Sequence, residues 1–233
     1  RLRTCCGHTR REVTDMLSLI WKDFYINRSQ LVFPAIVLCA IALLAAMGRS
    51  SQASAEYAVP LLFTYSGLMV PFFALNSAML EEKNRTLAFL RSLPMRADAI
   101  VASKFVSPLL VGALWAGASV LAALIMEAGA GESAVSIMSG VLLVCATLPV
   151  AAIELVVFFR FGASAARTAL VITVGTVYLV PLLAQGLVAK VKPLVMAMMD
   201  PEPVHAVLFA GGSLLLYFAG MLLAQAIFRR REV

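Results

Sequence analysis

The residues best suited to recognising a partner lie in one polar stretch, residues 81–105, EEKNRTLAFLRSLPMRADAIVASKF. It is too charged for a lipid interior and too patterned for a plain loop. Asn84 or Thr86 can cap a short helix whose apolar contacts are Leu87, Phe89, Leu90 and Leu93. Pro94 ends it by restricting Leu93 and removing a backbone donor. Phe89 and Leu90 beside Arg85 and Arg91 have the chemistry of a small docking knob, an aromatic anchor with a charged rim. A helix lying on lipid headgroups would show the same amphipathicity. One acid stands apart from this stretch. Glu154 lies within a long apolar run, where a charge at mid-membrane costs about 2.5–3.5 kcal/mol, so it needs a partner. Phe159, at the end of that run, is only roughly 7–8 Å further along a helix. Reaching the interface, pairing with Arg160 or Arg167, and an intramembrane functional role are the open readings of Glu154.

The elements that position these residues follow from composition. Of 233 residues, 61% are hydrophobic and 14% charged, and the mean hydropathy is +0.91. Soluble domains run nearer 45–50% apolar and about 25% charged, so too few charges are present to cover a water-soluble globule. Six apolar runs are long enough to cross about 30 Å of hydrocarbon: 31–47, 58–80, 105–126, 134–159, 168–189 and 206–228. The first is near the lower limit, which implies a helix beginning earlier or crossing with little tilt. The expected fold is all-α and integral to the membrane, with six transmembrane helices and short connections. Residues 16–233 are expected to form one transmembrane domain, with 1–15 as a leader.

The charges report the orientation. On alternating sides of the six runs, 16 of the 19 Lys and Arg lie on the side of both termini and 3 on the other (Arg49, Lys190 and Lys192). The positive-inside rule puts both termini in the cytoplasm. The same distribution, spread over short membrane-flanking loops, excludes nucleic acid as a partner despite the net charge of +6. Residues 1–15 have neither a signal-peptide core nor helical periodicity, and Met16 is a candidate natural start. From there Leu17, Ile20, Trp21 and Phe24 share a helical face, with Ser18, Lys22 and Asp23 largely opposite. That pattern suits an interfacial helix with Trp21 and Tyr25 at headgroup depth; an extension of the first span is the alternative. Cys5, Cys6 and His8 do not complete a zinc tetrahedron, and Cys39 and Cys145 sit in apolar runs as packing residues.

Glu81, Lys83, Thr86, Leu90, Leu93, Pro94, Ile100, Val101 and Lys104 resemble the pattern of the ABC-2 type transporter permeases, the membrane subunits of ATP-binding cassette exporters. In that family this connection, between the second and third spans, is a cytoplasmic coupling helix that inserts into the ATPase. LSLIWKDFYINR is similar to the family's N-terminal interfacial elbow helix. Pro149 followed by Phe158, Phe159, Arg160, Phe161, Gly162 and Arg167 is similar to a third family pattern, before the fifth span. Size and the wording of the coupling segment most resemble the branch of phenol-soluble-modulin exporters and bacteriocin or lantibiotic immunity permeases.

The resemblance implies an exporter in the bacterial plasma membrane for an amphipathic or peptide-like substrate. It implies a second permease chain, as homo- or heterodimer, membrane lipid around the pair, and a cytoplasmic ATP-binding cassette subunit holding ATP and Mg. It assigns the coupling role to Asn84, Arg85, Thr86, Leu87, Phe89, Leu90, Arg91, Leu93 and Pro94. The sequence has no GxxxxGK[ST] phosphate loop, so no catalytic residue, cofactor or metal is expected in this chain. The family also places a re-entrant or surface helix in the outer connection 190–205, where an interfacial loop is the alternative.

The same residues bear on two other classes. An intramembrane protease of CAAX type needs an EExxxR pattern; Glu81 and Glu82 are present, but Arg85 is one residue too close and His205 falls on the opposite side. A non-transporting membrane scaffold differs in needing no ATPase. Small pairs in the third run, Gly112 with Ala116 and Ser119 with Ala123, permit close helix contact without locating a dimer interface.

Overall fold

A computed structural model describes residues 16–47, 52–84, 97–127, 133–183 and 203–230. Those residues form seven helices: α1 (Met16–Ile26), α2 (Arg28–Met47), α3 (Gln52–Lys83), α4 (Ala97–Glu127), α5 (Ser133–Phe161), α6 (Ala163–Leu183) and α7 (Pro203–Arg230). No strand occurs among the described residues, as the apolar runs require: backbone groups in lipid must be satisfied within the segment. Each expected span falls on a helix, the fifth only as far as Leu183.

Four helices carry a stretch long and apolar enough to cross a membrane: Leu61–Lys83, Asp98–Leu124, Gly140–Phe161 and Val204–Arg230. A fifth arises if Met16–Ile26 and Leu31–Ile41, bent by 64°, count as one broken span. Among the described residues the count therefore falls short of six. The run 31–47 is short, and the run 168–189 passes beyond the described residues after Leu183. The chain is a multi-pass helical membrane protein by this measure. Its outward faces agree, since Leu215, Leu216, Leu222 and Leu223 of α7 and Val171 and Ile172 of α6 are all exposed. A soluble surface would not tolerate so much contiguous apolar area.

Cross-helix contacts set the directions. Phe63 meets Gly140, Gly67 meets Thr147 and Glu82 meets Ala163, so α3 and α5 run the same way. Ala152 meets Gly220 and Phe159 packs edge-to-face with Phe228, so α7 runs with α5. Ser66 bonds Ser119 while Ser77 bonds Lys104, so α4 runs against α3. Helices alternating in this way bring Asp23, Glu81, Lys104, Gly162 and Arg229 to one end of the bundle, which also carries Arg28, Lys83, Arg160, Arg167 and Arg230.

Lipid supplies no hydrophobic drive for helices to associate, so close packing and interhelical hydrogen bonds must hold them. The small residues of α4 serve this purpose inside the chain. A Cβ on Gly112 would lie 2.8 Å from Val70, and Ser119 shares a 2.5 Å hydrogen bond with Ser66. Pro108 gives no N–H to the preceding turn of α4. Beside it the Tyr217 hydroxyl of α7 donates to the Phe105 carbonyl at 2.6 Å.

The tightest approach is at Gly140, where a Cβ would stand 2.3 Å from the ring of fully buried Phe63. Gly140→Ala is therefore expected to cost about 1–3 kcal/mol, the range for overpacking a filled core. Gly117 has no atom within 4 Å of such a Cβ, and Gly117→Ala is expected to be neutral or stabilising by up to about 1 kcal/mol. Unfolding of both variants in detergent checks the contrast; equal effects would show that the α3–α5 approach is not close-packed.

Candidate functional site

The sequence pattern leads to the end of α3, where the polar connection begins. Four ionisable side chains from three helices meet there. Lys104 of α4 places its Nζ 2.7 Å from Asp23 Oδ1 and 2.9 Å from Glu81 Oε1. Lys22 Nζ lies 2.6 Å from the same Glu81 oxygen and 3.8 Å from Asp23 Oδ1. Asp23, Glu81 and Lys104 are only 2–3% exposed, Lys22 26%. Two acids and two lysines balance, which is the condition for burying charge at all.

Neutral groups complete the cluster. Lys104 also donates to Ser77 Oγ at 2.9 Å, and Ser107 donates to Asp23 Oδ2 at 3.2 Å. Asn27 sits at the break between α1 and α2; its backbone N–H and its Nδ2 both donate to the Asp23 carbonyl, at 3.1 and 2.9 Å. Asn76 of α3 then donates to Asn27 Oδ1 at 3.2 Å. Glu81 Oε2 is buried without a hydrogen-bond partner among the described residues, and a small cavity is lined by Asp23, Asn27, Ser77, Glu81 and Asn84. The arrangement fixes α1 against both flanks of the polar connection.

Two further ties lie at the same end. Glu82 Oε2 accepts the Ala163 N–H, the first of α6, at 2.5 Å. Arg229 of α7 forms a two-pronged ion pair with Asp98 in the first turn of α4, with Nε 2.6 Å from Oδ1.

The structure divides the face expected for α1, with Leu17 and Trp21 exposed, Ile20 buried and Phe24 half-buried. Leu17, Trp21 and Tyr25 are exposed at 55%, 74% and 60%, while Leu19, Ile20, Asp23 and Asn27 are buried. Of the polar edge, Asp23 turns inward because Lys104 and Lys22 supply its counter-charges, while Ser18 stays exposed and Lys22 half-buried. Asp23 and Asn27 were missed by the usual amphipathic reading. A signal was present in the spacing of Ser77, Glu81 and Asn84 on α3 and of Ser103, Lys104 and Ser107 on α4, both polar stripes in otherwise apolar helices.

Of the expected coupling residues, Asn84 ends α3 in an exposed turn, its N–H donating to the Leu80 carbonyl at 3.0 Å. Arg85, Thr86, Leu87, Phe89, Leu90, Arg91, Leu93 and Pro94 lie outside the described residues, as do Cys5, Cys6, His8 and the connection 190–202. Glu154 is 1% exposed. Neither of its oxygens has a hydrogen-bond partner among the described residues. Arg160 is six residues on, about 120° round the helix, and is exposed against the Phe161 ring. Arg167 is exposed beyond the Gly162 turn. Glu81 and Glu82 turn to different partners, and no group of three His, Cys, Asp or Glu suited to a metal occurs among the described residues.

Removing one member of a buried charge set leaves the others uncompensated. Lys104→Met is expected to cost about 3–5 kcal/mol. Adding Asp23→Asn should recover more than about 1 kcal/mol of that loss in a double-mutant cycle by unfolding in detergent. Additive effects would show that the two do not form a pair. Glu154→Met is expected to raise the unfolding midpoint, because an unpartnered buried polar group costs about 1–3 kcal/mol. A lower midpoint would show that the carboxyl is held by residues outside those described.

No curated protein matches the chain. A family model does, that of the ABC-2 family transporter proteins, over residues 18–229, a stretch reaching from the start of α1 to the end of α7 and containing every residue of the charge cluster. With nearly the whole chain matched, this protein belongs to the ABC-2 family of transporter proteins.

Proposed function

We propose that the chain is the permease subunit of an ATP-driven exporter in a bacterial plasma membrane, moving an amphipathic or peptide-like substrate outward. The observation that carries this reading is the convergence of polar ties on the two flanks of residues 85–96, in a chain of the ABC-2 family. A connection that served only to join two spans would not need both ends fixed to α1, α6 and α7.

In this reading the helix α1 is the interfacial elbow, its Trp21 and Tyr25 at headgroup depth. Six spans put both termini in the cytoplasm, with the basic end of the bundle inside. The short helix that Pro94 ends is the coupling helix, and Phe89 and Leu90 dock into a cytoplasmic ATP-binding cassette subunit that binds ATP and Mg. A second permease chain, identical or related, completes the pathway. Closure of the ATPases on nucleotide would displace the coupling helix and bias the spans between inward-open and outward-open arrangements. The branch of phenol-soluble-modulin exporters and immunity permeases is the sub-family this reading favours, on chain size and the wording of 81–105.

The full chain, co-expressed with the ATPase encoded beside it, is expected to copurify with it and stimulate its ATP hydrolysis. Phe89→Ala and Leu90→Asp should each weaken that association by about tenfold or more, the effect of losing a docking anchor. Unchanged assembly and hydrolysis in both variants would overturn the coupling role. A scaffold without transport would bind no ATPase at all.

A further inference from the structure

The last turn of α3 carries two adjacent acids, of which only Glu81 belongs to the charge cluster. Glu82 reaches instead to α6, 81 residues along the chain. The reason lies in the α5–α6 junction. α5 ends at Phe161 and α6 begins at Ala163, with only Gly162 between them, at a φ of +96°. That left-handed conformation favours glycine. The turn is closed by the Gly162 N–H donating to the Phe158 carbonyl at 2.8 Å and the Ala166 N–H to the Gly162 carbonyl at 3.2 Å.

A helix N-terminus needs acceptors for its first N–H groups, and a Ser, Thr, Asp or Asn at the capping position usually provides one. Gly162 occupies that position and has no side chain to offer. The acceptor comes from another helix, as an anionic oxygen aligned with the positive end of the α6 dipole. Both Glu82 oxygens stand within 3.8 Å of where a Gly162 Cβ would be, so the carboxylate sits over the turn itself. A cap whose task was only to finish α6 could be local. This one joins α6 to the helix end that leads directly into residues 85–96.

We propose that Glu82 is a positioning residue that carries displacement of the coupling segment into α6, by holding the α6 N-terminus at the Gly162 turn. Glu81 serves α1 and α4 from the same turn of α3; Glu82 serves α6 and, across one residue, α5. The proposal rests on the reading that residues 85–96 engage an ATPase, and the test separates the two.

Spin labels at Tyr25 of α1 and Ser164 of α6, both exposed, report the link in chains whose native cysteines are replaced by serine. In the isolated chain one distance is expected for the otherwise native protein and a distribution at least twice as broad for Glu82→Ala. In the complex with the copurifying ATPase, trapped with ATP and vanadate, the native pair should keep one distance while Glu82→Ala splits it. Glu82→Ala should bind the ATPase within twofold of the native chain yet lose at least fivefold in stimulated ATP hydrolysis. Glu82→Gln, which keeps an acceptor oxygen and the side-chain length, should retain at least half of both readouts and guards against a variant that fails to fold. Unaltered distances and hydrolysis in Glu82→Ala overturn the proposal. A native chain that binds no ATPase overturns the reading beneath it, while the distances in the isolated chain still decide the α3–α6 link.

Discussion

Charge buried at the edge of a membrane must be neutralised where it lies, and at the basic end of this bundle that requirement determines which helices can meet. Lys104 cannot enter the interior of α4's packing face without an anion, and it has two, one from α1 and one from α3. Each acid in turn depends on a lysine, since Glu81 takes Lys22 as well. Three helices remote in sequence are therefore held in one relative position by a constraint with little slack. A hydrophobic contact would tolerate sliding by a side chain's width. An ion pair stripped of water does not, because its strength depends on contact distance and it has no solvent to fall back on.

Further from that end the helices are held by shape. Gly67, Gly112, Gly140 and Gly220 each let a neighbouring helix come closer than an alanine would comfortably allow, and Ser66 with Ser119 adds a hydrogen bond in the same interface. Dispersion and hydrogen bonding do here what water does for soluble bundles. Glu154 is the exception in this packed region. It is enclosed as completely as the leucine beside it but lacks that residue's compatibility with its surroundings. Such a group is a hypothesis of function wherever it occurs in a membrane protein.

The sequence made the helices legible because lipid imposes a simple rule: a span must be apolar for its whole length, whatever it packs against. Every apolar run, as far as its residues are described, lies on a helix for that reason. It left the pairing of helices unread. That Phe63 faces Gly140, or that Ser77 meets Lys104, depends on contacts between segments that no single run encodes. The burial of Asp23 on α1 went unread for a different cause. Polar residues point to water when one side of a helix is wet, but at Asp23 the protein interior is the more polar side. Lys104 was visible only as part of a family pattern, and its place at the centre of the cluster follows from α3 and α4 running antiparallel. Glu154 was visible as a misfit, but Arg160, six residues on, is turned away from it by helical geometry, and Arg167 lies beyond the Gly162 turn.

These two kinds of contact together determine how a force at the basic end would spread. If the helices touched only at that end, a displacement would bend them or fray their last turns. They touch along their length as well. α3 and α5 approach at Gly140 and Gly67 and are tied again through Glu82 at the α6 start; α5 and α7 meet at Gly220 and at Phe159 with Phe228. Contacts at successive depths oppose bending, since close-packed interfaces shift between discrete arrangements more readily than they deform. Motion delivered to the end of α3 would then travel as tilting of whole helices, with Gly162 and Asn27, the two breaks at the tied end, as the places where backbone direction changes.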